Sequence, residues 1–112
     1  RRKDDSHRER VMSEVAATLT EDLWEEGGVP KPAGSYKFYK HSNGDGPHGL
    51  HFVCPCGCGD VLGVAFENPQ GCNGPTWRWN GDREKPSTTP SIRRIGGCEW
   101  HGYLTDGVFR TC

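Results

Sequence analysis

Six cysteines are the residues of this sequence best equipped for chemistry: Cys54, Cys56, Cys58, Cys72, Cys98 and Cys112. The densest stretch is His51-Phe52-Val53-Cys54-Pro55-Cys56-Gly57-Cys58-Gly59, an apolar run feeding closely spaced thiols with Pro and Gly among them. Two thiolates share a zinc ion only if the backbone turns sharply and aims both at a point about 2.3 Å away. Glycine tolerates the backbone angles this needs, and amides in the turn can donate to the sulfurs. A disulfide between such near neighbours in an extended segment is strained. The second half of a site lies far along the chain. Cys98-Glu99-Trp100-His101 is a C-x-x-H pair, and Cys112 closes a hairpin in which Trp100 or His101 falls roughly opposite it. The expected cofactor is therefore one structural zinc on Cys54, Cys58, Cys98 and Cys112. Cys56 and His101 stand in reserve, to replace a member or support one. Cys72, in a Gly/Asn/Pro loop, reads as a free thiol.

A catalytic reading has fewer supports. His41, His48 and His51 precede the knuckle and, with Asp45 and Asp60, could form a second metal centre or an acid–base set. A zinc-supported ββα nuclease would need a helix after the cluster, and none is expected. A catalytic zinc needs an open water position and a base, for which Glu99 beside His101 is the candidate; a single carboxylate is thin support. Trp77, Trp79 and Trp100, with Pro86 and Pro90, form an aromatic face. Such rings are expected to cover a small core, with Trp79 best placed to meet a partner. Arg93 and Arg94 read as a solvent-facing pair on an edge strand.

The elements that must carry these groups are short. The chain has 112 residues, enough for one domain, but only 32% are hydrophobic, with 16 Gly and 8 Pro. So meagre a core does not by itself offset roughly 1–2 kcal/mol of backbone entropy per residue and calls for a staple. The net charge of -1 argues against a nucleic-acid partner. No signal peptide or membrane span is visible, so the expected compartment is the cytoplasm, where clustered cysteines read as metal ligands. Residues 1–12 read as a disordered charged arm, with Met12 a candidate natural start. Residues 13–34 read as a helix over 13–26 followed by a Pro/Gly linker. Ser13 or Thr20 would cap the helix, Val15, Leu19, Leu23 and Trp24 would form its stripe, and Gly27-Gly28 would end it. Residues 35–112 read as the zinc-binding β domain. Its expected strands are Ser35–Lys40, Leu50–Val53, Val61–Glu67, Thr76–Asn80, Ser91–Ile95, Trp100–Thr105 and Val108–Cys112, the last two joined by Asp106-Gly107.

Several motifs carry a resemblance. They are Cys54-Pro55-Cys56-Gly57-Cys58-Gly59, Trp77-Arg78-Trp79-Asn80-Gly81, Glu84-Lys85-Pro86, Thr89-Pro90-Ser91-Ile92, Gly97-Cys98, His101, Asp106-Gly107 and Cys112. Over about residues 36–112 they resemble an uncharacterised zinc-ribbon-like family of phage and bacterial proteins, the domain-of-unknown-function 6527 type. Some members are misnamed ammonia monooxygenase, and some occur near ubiquitin-like conjugation genes. The triple-cysteine knuckle departs from the simpler C-P-x-C of some relatives, and some relatives continue past the last cysteine. The resemblance implies a zinc-binding module of phage or prophage origin and no reaction. The expected fold is thus mainly β, a small α+β zinc ribbon of antiparallel hairpins with one short N-terminal helix. The expected function is non-enzymatic: protein–protein interaction as an accessory or minor virion protein. A metal-dependent hydrolase or nuclease is the alternative.

Overall fold

A computed structural model describes residues 14–40, 47–67 and 75–112. The charged arm expected at 1–12, with Met12, and the candidates Ser13, His41, Asp45 and Cys72 lie outside these residues. The described chain forms nine strands: β1 (Glu14–Ala16), β2 (Thr18–Leu19), β3 (Ser35–Tyr39), β4 (Gly49–Val53), β5 (Val61–Ala65), β6 (Arg78–Trp79), β7 (Thr88–Arg93), β8 (His101–Thr105) and β9 (Val108–Thr111). They build two sheets, one in the order β1-β9-β8-β7-β6, the other β2-β3-β4-β5.

The two sheets share one core. Tyr36, Leu50, Phe52, Val64 and Phe66 from the smaller sheet meet Ile92, Trp100, Leu104 and Phe109 from the larger. Alternation along β8 explains the sidedness: Gly102 and Leu104 are buried, while Tyr103 and Thr105 are exposed. At the centre, Phe52 stacks on Phe109 at 4.8 Å, and Trp100 meets both edge-on at 6.1 Å. Trp79 stacks on Phe66 at 4.9 Å, so the aromatic face is largely core cover. Asp106 and Gly107 take positive φ values of 50° and 75°, as a two-residue hairpin between β8 and β9 requires.

The expected N-terminal helix is corrected: no described residue is helical, and the fold is all-β. Residues 14–19 are strand. Val15 lies opposite Phe109 in an antiparallel pair, and Leu19 lies beside Tyr36 in a parallel one. The apolar positions Val15, Ala17, Leu19 and Leu23 are all an even number of residues apart, so period two suits them as well as a helical stripe does. Two open sheet edges then decide between the readings. The Thr20 hydroxyl, offered as a cap, instead donates to the Asp22 carbonyl, closing a local turn that competes with a helix. At Ala17 the chain passes from one sheet to the other: its amide donates to the Gly107 carbonyl, and the next amide, Thr18, donates to Gly34.

Because Phe52 sits at the junction of both sheets, Phe52→Ala is expected to cost roughly 3–5 kcal/mol. Urea denaturation followed by tryptophan fluorescence checks this; a loss below about 1 kcal/mol would contradict a single shared core.

Candidate functional site

β4 runs straight into the knuckle. The Cys54 amide donates to Asp60 and its carbonyl accepts from Gly57, so the segment 54–60 folds back tightly before β5. This turn brings the sulfurs of Cys54, Cys56 and Cys58 together. The fourth, Cys98, comes from the connection between β7 and β8. All four sulfurs lie within 4.8 Å of one another. Cys54 Sγ is 3.4 Å from Cys56 Sγ and 3.5 Å from Cys98 Sγ. Tetrahedral zinc with bonds of about 2.3 Å separates its sulfurs by about 3.8 Å, so the donor set is compatible with a metal ion.

The division is three sulfurs from one knuckle and one from a remote connection. Of the expected ligands, Cys54, Cys58 and Cys98 converge, joined by Cys56; Cys112 and His101 lie apart from the group. The hairpin register explains why. His101 and Cys112 do face each other, the Cys112 amide donating to the His101 carbonyl at 2.9 Å. Both follow the alternation that points away from the core, whereas Thr111, one residue earlier, accepts from the buried Trp100 indole.

Arg94, expected as a solvent-facing partner of Arg93, braces the cluster. Its guanidinium pairs with Asp60 at 2.7 Å and donates to Cys98 Sγ at 3.5 Å and to Cys58 Sγ at 3.8 Å. A cation against several sulfurs offsets the negative charge they carry when ionised. Gly97, at φ 57°, leaves room for it, since a side chain there would collide with the Arg94 head group. The thiols themselves differ. Burial pushes the Cys54 thiol well above its ordinary value. Burial also opposes ionisation of Cys98, but is outweighed: the Trp100 amide and the thiols of Cys54, Cys56 and Cys58 donate to its sulfur and bring it down to about 6.

A second grouping stands on the outer face of the larger sheet. His101 Nε2 lies 3.1 Å from Ser91 Oγ, within hydrogen-bond distance. Both residues are half-buried. Ser91 sits where the register of β7 against β8 shifts: Thr88 pairs with Leu104 but Ile92 pairs with Gly102, so β7 carries two extra residues. Such irregularities re-aim side chains. The peptide between Thr89 and Pro90 within this stretch is cis. The Trp77 indole donates to the Ser91 carbonyl at 3.1 Å, tying the segment to the edge of the sheet. Sequence reasoning quoted Ser91 and His101 in motifs but did not pair them. The signal was their placement on consecutive strands of a hairpin, and only the register brings them together.

The other candidates are dispersed. His51 stacks on Tyr39 at 4.7 Å, and Asp60 is held by Arg94. Glu99 is exposed at a positive φ of 55°. Among the described residues the only grouping of three or more potential metal-binding side chains is the four cysteines. No described helix is long and apolar enough to cross a membrane.

In metal-free protein at pH 7, a Cys98 thiol with a pKa about 6 is mostly ionised, whereas Cys54 is not. Iodoacetamide is therefore expected to alkylate Cys98 well ahead of Cys54, and the preference to shrink as the pH falls below 6. Peptide mapping after brief alkylation reads this directly, and equal labelling of the two would refute it.

Comparison with known proteins overturns the resemblance drawn from the motifs. No curated protein and no solved structure gives a significant match. The family model described as bacterial ubiquitination-like system serine protease (BubE) matches residues 26–112. This match displaces the phage zinc-ribbon assignment, leaves a phage or virion role without support, and replaces the non-enzymatic reading with an enzymatic one. This chain belongs to the family of serine proteases of bacterial ubiquitination-like systems.

Proposed function

We propose that this chain is a serine protease acting on a protein substrate of a ubiquitination-like system, with Ser91 as nucleophile and His101 as general base. The carrying observation is the 3.1 Å approach of His101 Nε2 to Ser91 Oγ. A serine hydroxyl is a weak nucleophile until an adjacent base takes its proton. As Ser91 Oγ bonds to the scissile carbonyl carbon, its proton passes to His101 Nε2. The protonated ring then gives that proton to the leaving amine, and an ester on Ser91 remains. Water, deprotonated by the same ring, hydrolyses the ester and restores both groups.

The same reading assigns the four sulfurs a structural role. Cys54, Cys56, Cys58 and Cys98 would hold one zinc ion, whose chemistry here is to cross-link the chain. Four thiolates leave no open position for water, as structural zinc sites do not. Cys98 lies seven residues after Ser91 and three before His101 in the connection that joins β7 to β8. Anchoring Cys98 to the knuckle therefore fixes both ends of the Ser–His pair relative to the core. Ser91 and His101 do the chemistry, and the cysteines keep them in register.

Two outcomes follow. Ser91→Ala is expected to lower turnover at least roughly 10³-fold with the thermal midpoint unchanged, and His101→Gln to have a similar effect. Labelling of the wild type by an alkyl fluorophosphonate, mapped to Ser91 by mass spectrometry, checks the nucleophile; labelling that survives Ser91→Ala would sink the assignment. Removing metal with a strong chelator is expected to abolish labelling and lower the thermal midpoint together. Lost labelling with an unmoved midpoint would place the metal in catalysis instead.

A further inference from the structure

Backbone polarity beside Ser91 supplies what a protease must have besides its reacting groups: a means of holding the substrate chain. β6 pairs with β7 only at Arg78–Thr89 and Trp79–Thr88. One residue earlier the chain turns away. The Trp77 amide donates to Ala65 and the Trp77 carbonyl accepts from Glu67, in a bridge to the other sheet at Phe66. Beyond Thr89, the side of β7 that faces away from β8 thus has no strand beside it among the described residues.

The ladder with β8 dictates which groups face that edge. The Arg94 amide donates to the Trp100 carbonyl, and Ile92 pairs with Gly102. Hydrogen-bonded and non-bonded pairs alternate in an antiparallel ladder, so Arg93, opposite His101, directs its N–H and C=O outward. The Ser91 carbonyl points the same way, since it accepts from the Trp77 indole on that side. No described group pairs with the outward N–H or C=O of Arg93. Arg93 is itself exposed, and alternation puts its side chain on the same face as Ser91 and His101.

We infer that the substrate docks as an added strand on this edge, one of its residues exchanging both backbone hydrogen bonds with Arg93 while the scissile carbonyl lies at Ser91 Oγ. This rests on the protease reading above. The occupant is an extended polypeptide segment, recognised by its main chain, because N–H and C=O groups spaced along a strand are what this edge complements. A folded surface without a free strand cannot reach it. Arg93 is a positioning residue that acts through its backbone.

The test separates backbone from side chain. Two reagents react with a serine nucleophile: an alkyl fluorophosphonate, which has no peptide backbone, and a tripeptidyl phosphonate, which has one. In the wild type the peptidyl reagent is expected to gain at least tenfold in rate over its analogue with N-methylated backbone amides. Arg93→Pro deletes the outward N–H and leaves the ladder to β8 intact, and proline is tolerated on an edge. It should remove that gain while the alkyl reagent reacts as before; Arg93→Ala, which keeps the N–H, should retain it. Equal rates for the plain and N-methylated peptidyl reagents on the wild type would overturn strand docking without any variant. A gain that survives Arg93→Pro would do the same. If neither reagent labels Ser91, the protease reading fails, and this inference with it.

Discussion

The convergence of Cys98 on the Cys54–Cys58 turn is the constraint on which the rest depends. It joins the end of β4 in one sheet to the β7–β8 connection in the other, across 40 or more residues of chain. Burial alone contributes modestly in a protein this rich in glycine and poor in apolar residues. Cross-links that close long stretches of chain remove much disorder from the unfolded state. Arg94 and Asp60 complete the arrangement, one neutralising the sulfurs and the other holding the arginine in place. Cys54 belongs to the same buried cluster as Phe52, Trp100 and Phe109, so cysteine group and core are continuous.

What was legible in the sequence was legible for physical reasons. Strict alternation in Ser35–Lys40 and the Asp106-Gly107 turn encode local geometry, and the corresponding strands and hairpin lie where those signals place them. The triple cysteine motif, with glycine among the thiols, encodes a local turn. The N-terminal segment was misread because even spacing serves both a strand and a helical stripe. What favours strand is partner edges more than 15 residues away, at Ser35–Tyr36 and Val108–Arg110. The fourth member of the cysteine cluster depended on a similar long-range fact. The sequence ranked Cys112 ahead of Cys56, but the hairpin register puts Cys112 on the outer face and Cys56 joins the cluster.

The approach of Ser91 to His101 was the least legible feature. Serine and histidine are common, and ten residues between them signify nothing without the strand pairing that the sequence does not spell out. Ser91 lies within the irregular pairing between Thr88 and Ile92, and 3.1 Å from His101. That irregularity is a departure from regular alternation, so pattern reading passes over it. Cysteines advertise themselves by composition; a nucleophile and its base are visible only as geometry.

The place of the Ser–His pair on the outer face has a further consequence. Ser91 and His101 are both half-buried at a sheet surface, so under the protease reading proposed above an ester on Ser91 would stand open to bulk water. Under that reading the site would favour cleavage by water over transfer to a second chain.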